Sequence, residues 1–127
     1  MTRQAKPPRA AKIPAATEHQ EQRALCAWLD AAGIGYCAIP NAARRSPRQA
    51  AYLKAEGMRA GAPDLILWRR TPGGSPVAIE LKRSTGGRVS ESQEQTHALM
   101  RKEGWVVIVA RGAADAIAQL ISLAATR

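Results

Sequence analysis

The sequence predicts an α/β domain, and three observations lead there. Residues 77–82, Val-Ala-Ile-Glu-Leu-Lys, alternate with the period of a half-buried strand. A strong turn signal, Thr71-Pro72-Gly73-Gly74-Ser75-Pro76, joins it to a second strand-like run at 64–69. Thr17 with Gln20, and Ser90 with Gln93, form capping-box patterns that each open a helical stretch. The expected element order is α-β-α-β-β-α-β-α, with no internal repeat.

Residues 1–16 carry Arg3, Lys6, Arg9 and Lys12, three prolines and no acid, and are expected to be a disordered basic arm. A single domain is expected over 17–127. Its first helix spans 18–32, with Leu25, Trp28 and Leu29 as the buried stripe and Gly33 as the stop. A short strand at 34–39 ends at Pro40-Asn41. Residues 41–62 hold five cations against one acid, Glu56. Within them a helix is expected at 47–56, with Pro47 near its start and Gly57 at its end. Helix 91–103 follows the hairpin. Trp105 to Ala110 is a continuous apolar run, read as a central strand covered on both faces. A last helix covers 113–124.

The chain has 127 residues, with 19 Lys and Arg against 10 Asp and Glu and a formal charge of +9. Such a balance draws a protein to polyanions, nucleic acid first. No apolar run is long enough to span a bilayer. The basic N-terminus has no apolar segment behind it and does not read as a signal peptide. Cys26 and Cys37 make neither a disulfide framework nor a zinc site, and read as two small buried thiols in a reducing, cytosolic setting.

The chemistry centres on the hairpin. If it turns about Gly73, residue 66 pairs with 80 and 64 with 82. Opposed residues share a face, so Asp64, Glu80 and Lys82 project together, with the two acids diagonal at about 7–8 Å. A slip of two residues preserves that face and a slip of one destroys it. Two carboxylates and the Leu81 backbone carbonyl would suit Mg²⁺ or Mn²⁺, which take oxygen ligands and accept a phosphate oxygen. Lys82 would then stabilise the charge that grows on a phosphodiester under attack. The plain alternative is a Glu80/Lys82 pair on a solvated strand face, with Asp64 as a turn residue after Pro63.

Gly61-Ala62-Pro63-Asp64, then Glu80-Leu81-Lys82, then Gln93, resembles the PD-(D/E)XK nuclease superfamily, and its VRR-NUC branch more closely. Ile39-Pro40-Asn41 and Gly57-Met58-Arg59-Ala60 add to the match, which runs from about Glu18 to Leu120. The resemblance implies a restriction-endonuclease-like core, a mixed sheet with a catalytic hairpin flanked by helices. It implies that Asp64 and Glu80 bind metal, that Lys82 is catalytic, and that Gln93 contacts substrate or water. It also implies an acid on the first helix. Glu18 fits best, because Gln22 follows it at helical spacing, and Glu21 stays open. Asn41 matches an asparagine near the substrate. Glu18 could serve only the helix dipole, and Gln93 only its capping box.

Stand-alone members of that branch, small and often from phages or bacteria, look like homodimers acting on branched DNA such as four-way junctions. The expectation is a Mg²⁺- or Mn²⁺-dependent endonuclease in the cytoplasm of a bacterial cell or phage-infected host. The alternatives are a nuclease acting on flaps or ordinary duplex, and a DNA-binding module without turnover. DNA contacts are expected from Arg44, Arg45, Arg48, Arg59 and Arg88, selecting shape with a steep salt dependence. Arg69 and Arg70 read equally well as a solvated hairpin tip. The apolar faces of helices 47–56 and 113–124 are the candidate dimer surfaces.

Overall fold

The computed structural model describes residues 4–5, 14–40 and 46–125. The elements are α1 (Glu18–Ala31), β1 (Tyr36–Ala38), α2 (Pro47–Ala55), β2 (Leu65–Leu67), β3 (Val77–Lys82), α3 (Glu91–Lys102), β4 (Val106–Arg111) and α4 (Ala113–Ala125). Their order is the one expected. The basic arm falls largely outside the described residues. Among these, no helix is long and apolar enough to cross a membrane.

The four strands form one mixed sheet in the order β1-β2-β3-β4. β1, β2 and β3 pair antiparallel; β3 and β4 pair parallel. Parallel strands need a long crossover, and α3 provides it. Beyond the β1–β2 ladder, Ile39 N–H donates to Asp64 O at 2.8 Å and Trp68 N–H to Gly35 O at 2.9 Å. Those bonds recover most of the strand expected at 34–39.

The hairpin differs from the expected register by two residues. Leu65 lies opposite Ile79, and Leu67 opposite Val77. The turn closes through Thr71 N–H to Ser75 O and Gly74 N–H to Thr71 O, with Gly74 at φ +91°. Its centre is therefore Pro72 rather than Gly73. The face is preserved, and the same register carried one step further sets Asp64 directly across from Glu80.

α1 and α4 cover one face of the sheet, where Leu25, Leu29, Leu65, Ile79, Leu81 and Ile108 form the core. Burying each such side chain contributes about 1.5–3 kcal/mol. α3 lies on the other face and packs on β4. α2 makes no close packing with the strands among the described residues and buries none of its side chains.

Three expectations are corrected here. The thiols are not both buried: Cys37, on the short edge strand β1, is exposed, and Cys26 is half-buried. β3 is not half-solvated, for all six of its residues are buried. Like β2 it has a neighbour on each side; α1 and α4 pack on one of its faces, and on the other Lys82 meets Gln93 of α3. β4, expected to be central, is an edge strand. Its apolar run reflects two covered faces, while its free edge is met by side chains. The Arg101 guanidinium donates to Val107 O at 2.9 Å, and Gln119 Nε2 donates to Val109 O at 3.2 Å. Such capping blunts an edge that could otherwise add a strand.

Candidate active site

The fold brings Asp64, Glu80, Lys82 and Gln93 together. Glu80 and Lys82 are on one face of β3, and Asp64 joins them across the hairpin. Asp64 Oδ2 accepts the Leu81 N–H at 2.7 Å, which ties the head of β2 to the end of β3. Lys82 Nζ lies 3.7 Å from Glu80 Oε1 and donates to Gln93 Oε1 at 2.8 Å. Gln93 Oε1 also accepts the Ser90 N–H at 2.9 Å, closing the capping box of α3. One amide oxygen thus both caps the helix and holds the lysine, so two readings of Gln93 coexist.

Glu80 is fully buried, and neither carboxyl oxygen has a hydrogen-bond partner. Its pKa is pushed up from 4.5 to about 8. Burial is the main cause, the neighbouring Asp64 carboxyl adds to it, and the Lys82 ammonium opposes it. A buried acid without donors is expensive unless a cation or proton meets it. Two adjacent carboxylates are hard oxygen donors and fit Mg²⁺ or Mn²⁺. Among the described residues no group of three or more His, Cys, Asp or Glu side chains is placed to hold a metal. The rest of a coordination shell would therefore come from backbone oxygen, water and phosphate, a pattern that suits Mg²⁺.

The first-helix acids separate. Glu21 Oε2 accepts the Ala113 N–H at the start of α4, a structural role that also favours the helix dipole. Glu18 is exposed, and its carboxylate reaches the loop after β3. A Cβ built on Gly87 would lie 3.8 Å from Glu18 Oε1 and 3.9 Å from Lys82 Cβ. Only Glu18 therefore stands near the lysine with its carboxylate unengaged by α4.

In front of Asp64 lies a cavity of about 300 Å³, bounded among others by Pro40, Arg59, Ser90, Ser92 and Gln93. Arg59, one of the expected DNA contacts, also donates to Lys54 O and Met58 O. Arg48 and Arg88 are exposed. Asn41, Arg44 and Arg45 lie outside the described residues. A larger cavity of about 410 Å³ is apolar and on the far face, against Trp28, Leu67, Val77 and Leu120. It contains none of the acids.

Two residues were not foreseen, and a third, Gly61, was singled out only as part of its motif. His97 is buried on α3 with its Nε2 unpartnered, and burial lowers its pKa, helped by Arg101 and Lys82. It sits one helical turn after Gln93, a spacing visible in the sequence. Gly61 (φ +82°) packs so closely on α3 that a Cβ there would strike the Ser92 carbonyl. Trp68 follows Asp64 and Ile66 in the strand alternation, so its shared face was also legible.

A family model described as the VRR-NUC domain matches residues 9–114. The chain belongs to the VRR-NUC family. As a VRR-NUC domain it is a nuclease-type, DNA-processing unit. Solved structures share the fold, two of them as follows. One, titled "VRR_NUC domain protein", is 24% identical with a TM-score of 0.69, covering 87% of this chain and 90% of that one. The other, titled "VRR_NUC domain", is 24% identical with a TM-score of 0.59, covering 84% and 97% respectively. The α/β architecture, a mixed sheet with four helices, is PD-(D/E)XK-like. No curated protein matches the chain.

Proposed function

We propose that this VRR-NUC domain is a Mg²⁺- or Mn²⁺-dependent endonuclease that hydrolyses phosphodiesters in branched DNA, four-way junctions above all, as a homodimer in the cytoplasm of a bacterial cell or phage-infected host. The observation that carries the reading is Glu80, whose two buried oxygens lack donors beside Asp64. Asp64, Glu80 and the Leu81 carbonyl hold the ion, with Glu18 at the rim. The bound ion supplies Lewis acidity toward a phosphate oxygen and lowers the pKa of a water. Lys82, oriented by Gln93, places its ammonium beside the scissile phosphate and stabilises the charge that develops there. Asn41, Arg44, Arg45, Arg48, Arg59 and Arg88 hold the DNA backbone, and the basic arm before residue 17 tethers it. The exposed Ile121 on α4 supports that helix as a self-association surface.

The test is cleavage of a labelled four-way junction, a flap and a linear duplex with Mg²⁺, with EDTA, and with Lys82→Ala. The junction should be cut fastest, EDTA should stop cleavage, and Lys82→Ala should lower the rate about 10²–10³-fold. Equal rates on the three substrates would remove the junction preference. Binding without cleavage under every divalent ion would refute the enzyme and leave a binding module.

A further inference from the structure

We propose that Trp68 is a stacking platform for an unstacked nucleobase of the DNA strand that leads away from the acids. The proposal rests on the nuclease reading above and names a subsite for its substrate. α3 packs on β4, leaving the β1–β2 half of the site face more open. That half carries Cys37, Ile66 and Trp68; Cys37 is exposed and Ile66 half-buried. Trp68 is 72% exposed, the most exposed of the large apolar side chains among the described residues. Alternation places it on the face of Asp64, four residues and about 13 Å along β2. At about 3.4 Å per nucleotide of a stacked strand, that is about four steps from the reacting phosphate, and fewer if the strand is extended.

The indole is exposed yet held. Trp68 N–H donates to Gly35 O, and Gly35 lies directly across the ladder. A Cβ on Gly35 would come within 2.5 Å of Trp68 Cε3 and 3.0 Å of Cδ2. The ring therefore occupies the space that any other residue at 35 would fill, and it keeps most of its surface outward. A positioned, solvent-facing indole needs a planar, apolar partner to gain from its exposure. Charge selects which one. The chain carries +9 overall, which favours a polyanionic partner over an acid-poor one. A nucleobase on a polyanionic strand satisfies both the ring and that charge. Paired duplex hides its base faces, whereas a branch point offers unstacked ones, so this subsite gives a physical source for structure selection.

The test measures binding in EDTA, so that cleavage does not intervene, to a junction, to single-stranded DNA, and to single strands with abasic sites. Trp68→Ala should weaken binding to the junction and the base-bearing strand about 5- to 100-fold, within the range for one stacked base. Trp68→Phe should retain most of the affinity. Gly35→Ala, which leaves the indole in place chemically but displaces it, should behave like Trp68→Ala. The fluorescence component lost in Trp68→Phe should be quenched by base-bearing but not by abasic strands. Equal affinity of Trp68→Ala and wild type, or equal quenching by abasic strands, overturns the proposal. So does a change in oligomeric state with DNA affinity intact, which would make the patch a contact between copies. Absence of cleavage under any divalent ion, with Trp68-dependent binding retained, would refute the nuclease and leave the stacking site standing.

Discussion

Glu80 is the residue on which the site depends. In an unfolded chain its carboxyl titrates near 4.5; in the fold it titrates near 8. Between those values the folded protein holds a proton that the unfolded chain has released. The associated stability is complete below about pH 4.5 and is lost as pH rises through 8. Glu80→Gln keeps the shape and removes the buried charge. In EDTA the variant should match the wild type at pH 5 and exceed it by roughly 1–3 kcal/mol at pH 9, read by denaturant unfolding. An equal gap at both pH values would contradict the burial argument. The face of Glu80 was legible from the alternation of 77–82, but its depth was not. Its neighbours Asp64, across the hairpin, and Lys82, held by Gln93 of α3, are brought in by other elements, and a strand's own pattern does not report what packs on it. The same limit kept Glu18 and Glu21 together in sequence. Spacing put both on α1, and only the amide of Ala113, 92 residues from Glu21, separates them.

At the scale of elements, the three N-capped helices were readable because a cap is local. Thr17, Ser46 and Ser90 each close a complete capping box, two of which were anticipated. The hairpin's existence was equally local, but its register was not, since the turn chemistry allows the chain to close about Pro72 or Gly73. β4 shows another boundary of legibility. An apolar run reports covered faces and says nothing of hydrogen-bonded edges. The junction of elements that matters most is Gln93, shared between the α3 cap and Lys82. Gln93→Ala should lower kcat by about 10-fold or more while changing KM little, because it unfixes the lysine without removing a DNA cation. Ser90→Ala is the control. It should cost about 1 kcal/mol of stability through the cap alone and leave kcat within a few-fold. If both variants lower kcat equally, the glutamine acts through the helix and not through Lys82.

For the whole molecule, the surplus of positive charge governs association with DNA. Affinity should fall with salt at a log–log slope of about −0.9 per phosphate neutralised. Arg48, Arg59 and Arg88 alone would give a slope near −3. A titration between low and physiological salt checks this, and a flat response would place the binding energy in apolar contacts instead. Attraction to polyanions and the acid pair were legible because charge and spacing are local properties, whereas the nuclease class came from the resemblance of Gly61–Asp64, Glu80–Lys82 and Gln93 to the VRR-NUC branch. Which side of the sheet stays open was not, since it depends on where the crossover helix settles. Gly61 carries the last consequence. It has no side chain, yet its backbone lines the cavity before Asp64 and runs against the Ser92 carbonyl where α3 begins. In a survey of every substitution at every position, site 61 would look as intolerant as Glu80 or Lys82. The reason would be different: a variant there fails by assembling the cleft wrongly, so intolerance along this chain maps the seams of the cleft as much as its reagents.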